Sequence, residues 1–242
     1  MFMKFLLGQI KKRGYEVSKP GYSDKTAITY RKLIQHFNID LIIDVGANEG
    51  QFAQSMRKLG FTGRISSFEP LSDVFNIMSG KAEKDDLWQV FNLALGNADE
   101  EQEINVSKNR VSSSLLEMMP AHVKQEPESM VISKQKITVK RLDTIWDQIS
   151  PGSGNVFLKL DVQGFEKFVL QGAESSLKHI KLIQLEMALV PLYKDELLLA
   201  EMLRYMEGLG FSLYNLMGGF NNFETGQQFQ VDGIFIRTED IN

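Results

Sequence analysis

The stretch Asp44-Val-Gly-Ala-Asn-Glu-Gly50 sets glycines at positions 46 and 50, with one carboxylate ahead of the first and another beside the second. It follows the apolar run Leu41-Ile42-Ile43 and leads into a helical segment, Gln51 to Gly60. A strand ending at Asp44, a glycine bend and a helix form an arrangement suited to nucleotides. Gly46 lets the backbone leave a sheet at torsions other residues resist. Gly50 lets the helix start close to a ligand, where the unpaired amides of its first turn would face the bound molecule. Dinucleotide sites use Gly-x-Gly-x-x-Gly, so that a pyrophosphate reaches bare backbone. Here Ala47 and Asn48 stand where the denser glycines would be, and Asp44 and Glu49 are poor neighbours for a pyrophosphate. The same acids suit a cofactor that carries an amino group and a sulfonium.

Three further acids lie where sheet strands are expected to end. Glu69, in Ser66-Ser67-Phe68-Glu69-Pro70, can accept both hydroxyls of a ribose, and Pro70, with no amide hydrogen, stops the strand. Asp161 closes the run Val156-Phe-Leu-Lys-Leu-Asp161, and Glu186 stands near the end of Leu182-Ile-Gln-Leu-Glu-Met187. Ligands of open α/β sheets sit outside the carboxyl ends of the strands, so Asp161 should face the reacting end of a cofactor, with Glu186 beside it. Such a pair can take a proton from a substrate hydroxyl and orient it. Alternatively it can hold a divalent cation, with Asn215 as a neutral ligand. His122 is a further candidate base or sugar contact. Ser112 to Ser114 read as a turn or as a ligand contact, and Asp143 as a helix cap. Trp146, Tyr193 and Phe220 have rings able to stack on a sugar, with core packing as the default for each.

The elements that must position these residues alternate. Helices are expected at about 25–37, 50–59, 71–80, 142–148, 165–171 and 195–209. Strands are expected at about 40–44, 64–69, 89–94, 102–107, 135–140, 156–161, 182–186, 211–215 and 229–236. Short continuous apolar runs read as buried strands of a parallel sheet, and their alternation with helices implies right-handed crossovers. The last two runs are joined by the Gly- and Asn-rich Met217 to Gln227 without a helix, which predicts an antiparallel hairpin. Residues 107–133 interrupt the alternation and read as a cap-like insertion in a single domain spanning 1–242. An N-terminal helical extension covers about 1–38. Its residues Phe2, Leu6 and Ile10 share a helical face near Lys4, Lys11, Lys12 and Arg13. That face is expected to pack on the domain, with peripheral contact to a membrane surface as the alternative.

The 242 residues are 43% hydrophobic and 24% charged, enough apolar material for a core without staples. The net charge of −4 gives no reason to expect a nucleic-acid partner. There are no cysteines, which excludes disulfides, thiolate zinc sites and cysteine nucleophiles, and suits a cytoplasmic location. No segment has the length and apolarity of a transmembrane helix.

The segments DVGANEGQFA, FEP, LALG, SSSL, VKRLDTI and LKLDVQGFEKFVLQGAE occur in the order found in FkbM-type methyltransferases, and the chain resembles that family from Ile43 to Glu186. The resemblance implies a class I methyltransferase fold. That is a Rossmann-like three-layer sandwich whose seven-stranded, mostly parallel sheet ends in an antiparallel hairpin. It implies S-adenosyl-L-methionine as cofactor, contacted from among Asp44, Gly46, Ala47, Asn48, Gly50, Glu69, Pro70, Leu95 and Asp161, with Leu95 bordering the adenine and Asn92 or Ala94 nearby. It implies methyl transfer, mostly to oxygen, on sugars or natural products, with Asp161, Glu186 and His122 as catalytic candidates and a small molecule or glycan as acceptor. A divalent metal is possible but not favoured. One departure is Gln163, where the family commonly carries glutamate; it removes a carboxylate from the site. The alternatives are a nicotinamide-dependent oxidoreductase, opposed by the missing third glycine and by Glu49, and a non-catalytic protein that keeps the pocket.

Overall fold

A computed structural model describes residues 25–241 apart from 151, 153 and 223. The amphipathic face around Phe2, Leu6 and Ile10 lies outside the described residues. The first elements are α1 (Lys25–His36), β1 (Leu41–Val45), α2 (Gln51–Lys58), β2 (Arg64–Phe68), α3 (Ser72–Ala82) and β3 (Trp88–Phe91). Next come β4 (Ala94–Leu95), β5 (Glu100–Ser107), α4 (Pro120–Gln125), β6 (Val131–Lys140) and α5 (Leu142–Ile149). The chain continues through β7 (Val156–Leu160), α6 (Glu166–Gln171), β8 (Ile180–Ala188), α7 (Leu199–Gly208), β9 (Phe211–Gly218) and β10 (Gln230–Arg237).

Seven strands form one sheet in the order β3-β2-β1-β7-β8-β10-β9. The first five run parallel, and β10 pairs antiparallel with both β8 and β9, so the expected C-terminal hairpin forms. Strand alternation sorts the apolar side chains into two layers. Leu41, Ile43, Val45, Leu158 and Leu160 pack with Leu142, Val169 and Met202 of α5, α6 and α7. Ile42, Ile65, Phe157 and Leu182 pack with Leu33, Ala53, Met56 and Met78 of α1, α2 and α3. The sheet is thereby covered on both faces, which is why its central strands read as unbroken apolar runs.

Three expectations are corrected. The run 89–94 splits: β3 ends at Phe91, and β4 leaves for a second, three-stranded sheet ordered β4-β6-β5. The strands near 102–107 and 135–140 belong there too. They are antiparallel and wet on one face, so their apolar side chains Ile104, Val106, Ile137 and Val139 are buried on the other, against Leu71 and Val74. The last long helix begins at Leu199 and not near Asp195. Asp195 has φ 63°, and the Glu196 carboxylate accepts from the backbone N–H of Leu192 and Tyr193, holding those residues in a turn.

Candidate active site

The carboxyl ends of β1, β2 and β7 converge on a cavity with about 650 Å³ of empty space. Of the nine residues expected to contact the cofactor, six line it: Gly46, Asn48, Glu69, Pro70, Leu95 and Asp161. Asp44, Ala47 and Gly50 do not. Asp44 points down a sheet face and is wholly buried. Ala47 joins the core beneath the bend. Gly50, at φ 80°, turns toward Trp88, where a Cβ would stand 2.5 Å from the indole. The first turn of α2 is therefore absent from the cavity wall, and the bend itself forms that wall.

The bend is tied to both neighbouring strands. Gly46 and Ala47 N–H donate to the Phe68 carbonyl at 3.1 and 3.0 Å, and Asp161 N–H donates to Val45 O at 3.1 Å. Gly46 has φ 72°, and a Cβ there would lie 1.9 Å from the Asp161 carbonyl oxygen. Only glycine suits both the torsion and the close approach of β7. The Glu69 carboxylate accepts from Asn48 N–H at 3.0 Å through Oε2 and from Leu71 N–H at 2.8 Å through Oε1. Each oxygen keeps a further lone pair for a ligand hydroxyl. Burial pushes this carboxyl up to about 7, against the two backbone donors, which favour its charged form. Beyond Glu69 the wall turns apolar, with Phe68, Leu71, Leu95, Ile104 and Leu115. Ser113 and Ser114 line the cavity as well, so the serine run of the insertion meets it.

Below the cavity runs a polar row that the sequence reading missed. Ser67, Asp44, Lys159 and Gln184 stand side by side in register across β2, β1, β7 and β8. Trp88 Nε1 donates to Ser67 Oγ at 2.9 Å at one end, and Tyr30 of α1 donates to Gln184 Oε1 at 2.8 Å at the other. Lys159 Nζ lies 3.1 Å from Asp44 Oδ1 and 3.3 Å from Asp161 Oδ2. Burial disfavours the ammonium, but the two carboxylates outweigh it and hold Lys159 above its ordinary range. The negative charge assigned to Asp44 as a cofactor contact is thus already matched from within. Glu49 is likewise paired, with Lys81 at 3.0 Å.

Asp161 and Glu186 come together through a third residue. Gln163 Nε2 donates to Asp161 Oδ1 at 2.9 Å and to Glu186 Oε2 at 3.1 Å. Gln230 Nε2 adds a bond to the same Glu186 oxygen at 2.8 Å. Burial and then the charges of Asp161, Glu166 and Asp232 raise Glu186 well above the usual carboxylate range. Asp161, on the other side of the same amide, has Lys159 Nζ 3.3 Å from its Oδ2. Glu166, which sequence reading passed over, accepts from Val162 and Gly164 N–H and is pushed up to about 8 by burial.

The remaining candidates lie elsewhere. Pro120 starts α4 and turns His122 inward, where it meets Tyr193 edge-on with ring centroids 5.2 Å apart and Phe220 at 6.1 Å. It is buried outside the cavity wall, and burial lowers its pKa. Asn215 is on β9, with β10 between it and β8, so it does not join the acid pair. Asp232 stands opposite Glu186 instead. Among the described residues no three His, Asp or Glu side chains are grouped to hold a metal ion. Asn92 braces the Glu69 and Pro70 carbonyls from outside the cavity. Asp143 accepts from Ser175 and Ser176 N–H and from Ser176 Oγ, bracing the turn after α6 and not its own helix. Tyr193 is buried with its hydroxyl engaged, and Trp146 packs on the core, so neither ring is free to stack on a sugar.

This strand order, with a cavity over the carboxyl ends of β1, β2 and β7, defines a class I S-adenosylmethionine-dependent methyltransferase. The chain belongs to the FkbM methyltransferase family, whose domain description, Methyltransferase FkbM domain, matches residues 44–213. Among solved structures it is similar to an uncharacterized protein from Listeria monocytogenes serotype 4b, with 7% identity, a TM-score of 0.50, and 90% of this chain and 70% of that one covered. It is also similar to magnesium protoporphyrin IX methyltransferase from Synechocystis PCC 6803, with 10% identity, a TM-score of 0.48, and 88% and 78% covered. A third is an rRNA methylase from Streptococcus thermophilus, with 9% identity, a TM-score of 0.45, and 92% and 99% covered. No curated protein matches the chain at a significant level. Among the described residues no helix is long and apolar enough to cross a membrane.

Proposed function

We propose that this methyltransferase acts in the cytoplasm on a hydroxyl of a sugar, glycan or small natural product. The observation that carries this reading is that Gln163, in the wall of the cavity that Gly46 and Glu69 share, ties Asp161 of that wall to Glu186 outside it. Glu69 accepts the ribose hydroxyls, the apolar wall from Phe68 to Leu115 takes the purine, and Gly46 and Asn48 bound the amino-acid end. Residues 107–133 serve as the cap, with Ser113 to Leu115 as its inner surface.

When bound, S-adenosylmethionine supplies a methyl carbon activated by a positive sulfur. The protein's residues align an acceptor oxygen with that carbon and remove its proton. Glu186, whose surroundings raise its proton affinity, takes the proton as the carbon–oxygen bond forms and the carbon–sulfur bond breaks. Asp161, held by Lys159 and Gln163, orients the hydroxyl.

Two measurements test this. S-adenosylmethionine and its demethylated product should each raise the melting temperature of the purified protein; no shift with either would overturn the assignment of the cavity. Labelled methyl should then appear on a member of a panel of sugars, nucleotide-sugars and cell-extract glycans. Label incorporated only into RNA would overturn the acceptor class.

A further inference from the structure

The amide between Asp161 and Glu186 is placed by bonds at every polar atom it has. Both carboxylates accept from Nε2 of Gln163, while its Oε1 lies 2.8 Å from the Tyr193 hydroxyl. That hydroxyl shares its proton with the Ser112 carbonyl at 3.0 Å. The backbone carbonyl of Gln163 accepts from Ser114 Oγ at 2.7 Å, and the residue sits at φ 55°, almost wholly buried. A hydroxyl donor on Oε1 decides which end of the amide faces the acids: both N–H bonds must point at carboxylates. A glutamate in this place would have no proton to give either neighbour and would bring a third negative charge between them.

We propose that Gln163 is the positioning residue of the acid pair, a neutral double donor that fixes both carboxylates. The inference deepens the function proposed above and rests on it for its consequence, though not for its test. The charged groups facing Glu186 are Lys159 from β7, Asp161 directly after it, Glu166 from α6 and Asp232 from β10, with the Tyr193 phenol alongside. Three acids against one ammonium favour proton uptake, and the amides of Gln163 and Gln230 oppose it by bonding the charged form. Removing the Gln163 amide should therefore tighten proton binding by Glu186.

The test is a carboxyl-carbon NMR titration of the full chain between pH 5 and 9, with signals assigned through D161N and E186Q. In Q163M the side chain keeps its length and loses its donors. Its Glu186 midpoint should rise by about one pH unit, a tenfold tighter proton. In Q163E, which still accepts from Tyr193, the midpoint should rise further. Midpoints unchanged in both variants would show that Gln163 only packs, and would overturn the inference. Should Q163M fail to fold, the near-isosteric Q163E decides by the same shift. Calorimetry of wild type with S-adenosylmethionine, run alongside, separates the two proposals: absent binding sinks the cofactor assignment, whereas the carboxyl titration still decides the role of Gln163.

Discussion

The backbone N–H of Asn48 donates to Glu69 Oε2 at 3.0 Å, across the gap between β1 and β2. The glycine bend and the acid that follows the next strand are thus one unit, and a change in either is felt by the other. The two follow directly on strands paired in register, with Val45 opposite Phe68, so the bond is a consequence of parallel pairing.

Glu69 should couple nucleoside binding to pH. Ribose hydroxyls donate to the charged carboxylate, while burial raises its pKa to about 7. Binding therefore requires loss of a proton below that value. The affinity for 5′-methylthioadenosine, which has no ionisable amino-acid part, should rise as pH climbs through 7 and level off above it. Glu69→Gln should weaken binding about 10- to 100-fold by calorimetry and flatten the pH dependence.

The same burial has a sign for stability without ligand. Glu69 at about 7 and Glu166 at about 8 both hold their protons more tightly folded than in an unfolded chain, where 4.5 is the ordinary value. Their stabilising contribution is complete below 4.5 and is lost as pH rises through 7 and 8. For Glu69 alone the loss is at most about 3 kcal/mol. Urea midpoints of the ligand-free protein should fall between pH 5 and pH 9, and fall less in Glu69→Gln.

Gly46→Ala should destabilise the fold by about 2–5 kcal/mol, since both the torsion and the contact with the Asp161 carbonyl oppose a Cβ. Gly60→Ala is the control. It too has a positive φ, 92°, but nothing stands within 4 Å of the added carbon, so only strain of about 1–2 kcal/mol is expected. Equal urea midpoints for the two variants would contradict the close approach of β7 to the bend.

Lys159→Met leaves Asp44 wholly buried without its cation, which should cost about 3–5 kcal/mol. Adding Asp44→Asn removes the orphaned charge and should restore part of the loss. Two additive penalties in that double-mutant cycle would mean that the pair is not coupled.

Glu186 lies outside the cavity lining, whereas Asp161 is part of it. Once an acceptor is identified, Glu186→Gln should lower turnover about 10²- to 10⁴-fold with S-adenosylmethionine affinity close to wild type. Asp161→Asn should weaken both. Calorimetry beside single-turnover rates checks the division.

What the sequence determined by itself was whatever depends on neighbours along the chain. Leu41 to Ile43 is apolar on both faces of a strand, Gly46 and Gly50 mark positive torsions, and Pro70 closes a strand; these are local facts, and the bend and Glu69 followed from them. The strand order came through resemblance and through the helix-free link before the last strand. The tertiary structure alone decided the partners, because a side chain's charge and donors are satisfied across the sheet by residues far along the chain. Lys159 reads as an oddity in an apolar run until β1 brings Asp44 beside it. Gln163 reads as a lost carboxylate until β8 and the Tyr193 loop show a donor bridging two acids. His122 reads as a free base until α4 turns it against Tyr193 and Phe220. Spacing along a chain dictates backbone geometry, but only register between strands dictates which charges meet.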